Sequence, residues 1–212
     1  MNPIDLLAPV IDGTEGFMPE DEGTALHDAV LAHLGTGLAV EIGTWCGRST
    51  LYLLGAAVAT GGQVVTIDHH RGSEEHQPGW EYHDESLVDP RIGRIDTLPR
   101  LRDTINRAGL ALPVVEEQLT IMVGRSEVIS RWWQTPIRIL FIDGSHTMEA
   151  AQRDLDGWSP RIEPDGLLII HDVFPDPADG GRPPYEIYRQ ALDSGRFSEL
   201  SATGSLRVLQ RR

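Results

Sequence analysis

No lysine occurs anywhere in the 212 residues; all 18 basic side chains are arginine. That removes every mechanism built on a lysine base or a Schiff base. The single cysteine, Cys46, has no partner for an internal disulfide, which points to a reducing, cytoplasmic setting. No apolar run approaches the roughly 20 residues of a membrane span. The opening MNPIDLLAPVIDGTEG lacks the basic and apolar regions of a signal peptide. Acids dominate, with a formal charge of −14, so a phosphate backbone would be repelled and a nucleic-acid partner is not expected. A small neutral or cationic ligand suits that balance better.

What is present is enough apolar residue, 40%, to build one sizeable core, and residues 1–212 are expected to form one domain. Residues 1–18 show no clear period and are expected to be an arm that covers a site or reaches a partner subunit. A helix is predicted from Pro19, with Glu20, Asp21 and Glu22 suiting the dipole and Leu26, Val30 and Leu34 buried. Strands are predicted at LAVEI (38–42), VVTID (64–68), LTIMV (119–123), RILFID (138–143) and GLLIIHD (166–172). Helices are expected between them: TLYLLGAAVA, Ile95 to Leu110, a stretch through Trp133, and one from about Thr147. This alternation predicts an α/β fold, a mostly parallel sheet with helices on both faces. The tail adds a helix at PYEIYRQALDS and an antiparallel hairpin around Gly204.

The chain is organised around VEIGTWCGRST, Val40 to Thr50, a strand running through a Gly-rich turn into a helix. Alone, that turn is either a plain joint or a ligand loop. Asp68 stands at the end of the next strand, 21 positions after Gly47. An acid about 20 residues past such a loop is the usual acceptor of ribose hydroxyls. Glu41, Asp143, His171 and Asp172 also fall at strand ends, and such a cluster is costly without a cation or hydrogen-bonding ligand. A dinucleotide needs bare backbone at its pyrophosphate, and bulky Trp45 stands where that motif has its second glycine. S-adenosylmethionine, with an ammonium, a sulfonium and a ribose, suits Glu41 and Asp68. Residues 69–90 hold four of the eight histidines and are too long for an ordinary connection. They are either a substrate-side insertion, with His69, His70, Trp80 and Tyr82 as candidate acceptor contacts, or a solvated excursion.

EIGTWCGRST resembles the first motif of class I methyltransferases, in the form found in metal-dependent O-methyltransferases of catechols, caffeoyl-CoA and antibiotic sugars. LFIDGSHTMEAAQRDLDGWSPRIEPDGLLIIHDV resembles their fourth- and fifth-strand region, closest to the actinobacterial macrolide-sugar group. The two blocks span residues 38–175. The resemblance implies a Rossmann-like fold with a seven-stranded sheet, and a homodimer. It implies that Glu41, Gly43, Thr44, Gly47 and Ser49 hold the methionine moiety, Asp68 the ribose, and Gly124, Arg125 and Ser126 the adenine. Asp143, which also borders the cofactor, would bind a divalent metal, magnesium in such families, with His171 and Asp172. His146 matches the position of the general base. The family's metal pair is Asp-Asp or Asp-Asn, whereas here it is His171-Asp172. His171 therefore points elsewhere, orients Asp172, or shifts preference toward a transition metal.

The expected activity is methyl transfer from S-adenosylmethionine to a small-molecule hydroxyl, most readily a sugar or glycoside such as a methylated mannoside precursor. The metal on Asp143 and Asp172 would acidify the hydroxyl, and His146 would take its proton. A phenolic acceptor is the alternative within the same class. A cofactor-binding regulatory protein without turnover, or a nicotinamide oxidoreductase, are the alternatives outside it.

Overall fold

The computed structural model describes residues 2–80 and 82–212. Helix α1 (Pro3–Asp12) occupies most of the segment expected to be an arm. Leu7, Val10 and Ile11 fall three and four positions apart, and all three are buried, which corrects the absence of a period there. Helix α2 (Glu20–His33) follows, buried along Leu26 and Val30 as predicted. Strand β1 (Leu38–Ile42) then leads through the Gly-rich turn into α3 (Arg48–Thr60) and β2 (Gln63–Asp68). Arg48 fastens the N-terminal segment to α3, donating to the carbonyls of Ile11 at 2.7 Å and Met18 at 2.9 Å.

The 69–90 segment is built from two short 3-10 turns, Glu74–His76 and Glu85–Leu87, and ends in the small pair β3 (Val88–Asp89) and β4 (Arg94–Ile95). Helix α4 (Leu98–Ala111) starts three residues later than expected because Ile95 is spent on that pair. Next come α5 (Val115–Gln118), β5 (Leu119–Val123) and the single-turn α6 (Ser126–Ile129), shorter than the helix expected through Trp133. Strand β6 (Ile137–Ile142), α7 (Met148–Trp158) and β7 (Ile162–Ile170) complete the parallel part. Helix α8 (Arg182–Asp193) precedes the hairpin β8 (Phe197–Thr203) and β9 (Leu206–Arg211).

The seven-stranded sheet runs β5-β2-β1-β6-β7-β9-β8. Its first five strands pair in parallel, while β9 pairs antiparallel with both β7 and β8. Alternate side chains feed two cores, as a sheet covered on both faces requires. Ile139 and Phe141 pack with Leu7, Leu26 and Leu54 on one face. Leu140 and Ile142 pack with Leu155, Trp158 and Ile187 on the other. This is the Rossmann-like arrangement the sequence predicts. The connection order reverses between β1 and β6, and a ligand crevice opens at such a reversal, beyond the carboxyl ends of the strands.

Candidate active site

The ends of the five parallel strands build the site. β1 stops at Ile42, whose carbonyl accepts the Asp143 amide at 2.8 Å. Gly43 follows with φ +92°, and a Cβ there would lie 1.9 Å from the Asp143 carbonyl oxygen. Only glycine fits so close an approach in that conformation. The β2 end supplies Asp68, which binds the loop itself: Oδ2 accepts the amides of Thr44 and Trp45 at 3.0 Å each, and Oδ1 the amide of His70 at 2.7 Å.

Glu41 lies beneath this loop rather than facing the crevice. It is fully buried, and hydroxyls of Ser49 and Thr50 donate to it at 2.6 Å each and that of Thr66 at 2.5 Å. Burial pushes its carboxyl up to about 7 against those three bonds, which favour the charge. Glu41 therefore braces the start of α3 against β1 and β2 and does not line the cavity, which corrects its expected contact with the methionine moiety. Gly47 likewise sits below, against Leu101.

A cavity of about 810 Å³ opens above. Gly43, Thr44, Ser49 and Asp68 line its floor, and Gly124, Arg125 and Ser126 one side. Asp143, His146, His171 and Asp172 line the other. Nε2 of His146 stands 3.1 Å from Asp172, and Nδ1 stands 3.4 Å from Glu75 of the 69–90 segment. Burial opposes a charge on this ring, but Asp172, with Glu75 and Asp143 behind it, raises its pKa above the ordinary histidine value. His171 is buried, with Nδ1 at 3.1 Å from Asp143 and 3.4 Å from Asp172, and Nε2 at 2.7 Å from Glu22. Here too burial disfavours the charge, and the surrounding carboxylates overwhelm it, pushing the imidazole up to about 12. Asp143, His171 and Asp172 each present a ligand atom within 4.8 Å of the others.

Of the four candidate acceptor contacts, His69 and Tyr82 line the cavity. His70 does not: it is buried, with Nδ1 at 2.7 Å from the hydroxyl of Thr97. Trp80 is an exposed side chain outside the cavity. An aromatic group takes their place. Trp45 stacks on His76 with centroids 4.2 Å apart, and Phe17 meets Tyr82 edge-on at 5.6 Å. All four line the cavity, as do Glu15, Gly16 and Met18 from the end of the N-terminal segment.

Among the described residues, three of the four non-glycine positions with positive φ, Trp45, His70 and Asp172, cluster here at the ends of β1, β2 and β7. Such strain, of order 1–3 kcal/mol each, collects at functional sites. The residues that sequence reasoning missed are Glu22, Phe17, Glu75 and His76. For Glu22 a signal existed: it lies four residues before Leu26 and eight before Val30, on the same buried stripe of α2.

Residues 40–173 match the family described as a methyltransferase domain, a stretch that includes the ends of all five parallel strands. The chain belongs to that methyltransferase family. Solved structures repeat the architecture across the whole chain. The O-methyltransferase NovP superposes with a TM-score of 0.67 at 16% identity, covering 99% of this chain and 96% of its own. An O-methyltransferase from Bacillus cereus in complex with SAH gives 0.63 at 18%, covering 100% and 91%. TomG from Streptomyces achromogenes, solved in complex with SAM, gives 0.62 at 15%, covering 100% and 90%. At such identities the likeness is one of fold, and the methyltransferase domain's acceptor must be argued from its own residues.

Proposed function

We propose that this methyltransferase domain is an S-adenosylmethionine-dependent O-methyltransferase whose acceptor is a hydroxyl of a sugar or glycoside. One observation carries the assignment. A single cavity receives a Gly-rich loop fixed by a strand-end acid on one side, and an imidazole held between two carboxylates on the other. The first half is a seat for a nucleoside carrying positive charge. The second is a seat for a proton acceptor. Solved structures of the same fold that carry SAH or SAM support the choice of cofactor.

Methyl transfer to oxygen needs alignment and a deprotonated hydroxyl, and alignment alone supplies much of the acceleration. His146 would take the proton: Glu75, 3.4 Å from Nδ1, would hold the hydrogen there and leave Nε2 to accept one, with Asp172 at 3.1 Å stabilising the imidazolium that forms. Glu75 comes from the 69–90 segment, so that segment would orient the base as well as roof the acceptor. Phe17, Trp45, His76 and Tyr82 would offer the apolar face on which a pyranose ring stacks. A phenol would stack there equally well, which keeps a phenolic acceptor as the second reading.

Asp143, Asp172 and Nδ1 of His171 would hold a divalent cation. The donor set fits one: two carboxylates and an imidazole nitrogen each offer a ligand atom within 4.8 Å of the others, at the edge of the same cavity. An imidazole nitrogen among the donors suits manganese, cobalt or zinc better than magnesium. The chemistry such a cation supplies when bound is to lower the pKa of an acceptor hydroxyl.

Calorimetry with S-adenosylhomocysteine and with NAD⁺, followed by turnover on methylated mannosides and on catechols, tests the function. Micromolar binding of the first ligand and methylation of a mannoside are expected. Preference for NAD⁺ would sink the cofactor, turnover on catechols alone would sink the sugar acceptor, and tight binding without turnover would mark a regulatory protein.

A further inference from the structure

Glu22 stands in the first turn of α2, where an acid ordinarily serves the helix dipole in solvent. Here it is buried and crosses to the far end of the chain. Its Oε1 accepts the Ser205 amide at 2.7 Å and its Oε2 the Ser205 hydroxyl at 2.9 Å. Room for it is left by Gly204, where a Cβ would lie 2.0 Å from Oε1. Oε2 also lies 2.7 Å from Nε2 of His171. That nitrogen is buried and makes no aligned hydrogen bond among the described residues, so Glu22 is the group within reach to satisfy it. The other ring nitrogen, Nδ1, donates to Asp143 at 3.1 Å in the absence of a metal and lies 3.4 Å from Asp172.

We infer that Glu22 is a positioning residue: it keeps the His171 proton on Nε2 and so presents the Nδ1 lone pair to a metal shared with Asp143 and Asp172. The role rests on the metal site proposed above. A neutral imidazole has one donor and one acceptor nitrogen. A metal at Nδ1 would take the place of the hydrogen that Nδ1 shares with Asp143, so the one hydrogen of the neutral ring would sit on Nε2, where the Glu22 carboxylate accepts it. Metal-bound histidines are commonly fixed by a carboxylate at their second nitrogen, and loss of that partner costs 10–100-fold in metal affinity.

Glu22→Gln keeps the shape and reverses the pattern. The Ser205 amide can only donate, so it retains the side-chain oxygen, and the NH₂ group is left facing Nε2. The ring proton must then move to Nδ1, where it blocks the metal. Titration with Co²⁺, read by its absorption bands, should show affinity at least tenfold weaker in Glu22→Gln, with S-adenosylhomocysteine binding unchanged. Wild-type Co²⁺ affinity in that variant would overturn the role of Glu22 and leave the metal site standing. Absence of Co²⁺ binding by the unaltered protein would overturn both. A measurement without any substitution guards against misfolding: ¹⁵N NMR of the Zn²⁺-loaded protein should show His171 protonated at Nε2. A proton on Nδ1 in that spectrum would overturn the inference.

Discussion

Nε2 of His146 lies 3.1 Å from Oδ2 of Asp172, so the candidate base and a candidate metal ligand share one contact. Removing the ring should therefore leave the cofactor seat intact while the acceptor keeps its proton. His146→Ala is expected to lower kcat by about 10²–10⁴-fold, the usual worth of a positioned base. Affinity for S-adenosylhomocysteine should stay within a factor of two to three, on the order of experimental scatter. Full turnover in this variant would remove His146 from the mechanism.

Asp143 is shared between the β1–β6 crevice and the imidazole of His171. Dialysis against a chelator should abolish turnover, and readdition of Mn²⁺ or Co²⁺ should restore it. Asp143→Ala should resist that rescue. Activity that survives exhaustive chelation would separate this enzyme from metal-assisted methyl transfer.

Glu41 supplies a pH test of stability. Burial raises its folded-state pKa from 4.5 to about 7, so between those values the folded protein holds a proton that the unfolded chain has lost. Stability must then fall as pH rises through that window. Glu41→Gln, always neutral, should melt like the wild type at pH 5 and should be the more stable of the two at pH 8. A difference of about 1–2 kcal/mol would separate the melting points by roughly 2–8 °C. Parallel pH profiles of Tm in the two proteins would show that Glu41 titrates normally.

Gly43→Ala combines an unfavourable φ with a Cβ placed 1.9 Å from the Asp143 carbonyl. A loss of more than ~2 kcal/mol in denaturant unfolding is expected, because backbone rather than a flexible side chain must move. A near-neutral effect would mean that β1 and β6 separate easily at this end.

The aromatic group predicts an acceptor effect divided by residue. Tyr82→Ala and Phe17→Ala should each raise the acceptor KM several-fold with little change in cofactor affinity. Trp80→Ala should leave both unchanged, since Trp80 lies outside the cavity. An acceptor KM that responds to Trp80 but not to Tyr82 would relocate the binding face.

The sheet was legible because its cause is local: apolar runs of five to six residues ending on Asp68 and Asp143 mark strand ends directly. The cavity lining was legible where strand ends carry it, at Gly43, Asp68, Asp143 and Asp172, with His146 just beyond β6. It was not legible where distant segments meet. His70 and His76 are the same residue type and Trp80 and Tyr82 are both aromatic, and only the path of the segment decides which of them face the cavity. Glu41 looks like a ligand contact in sequence because an acid before the loop suits a cation. Three hydroxyls on α3 and β2 claim it instead, and their convergence is tertiary. The first helix was overlooked for a different reason: Pro9 and the flanking Asp and Gly residues obscure a short stripe at Leu7, Val10 and Ile11.

The bond between Glu22 and Ser205 joins residues 183 positions apart. Closing so long a loop is among the costlier steps in chain entropy, and contacts of that separation form late in folding. The Gly-rich loop and its Asp68 clasp span only 24 positions and can form early. The two halves of the site are thus built on different clocks. During refolding, the seat for the cofactor should be ready before the corner around His171 is locked.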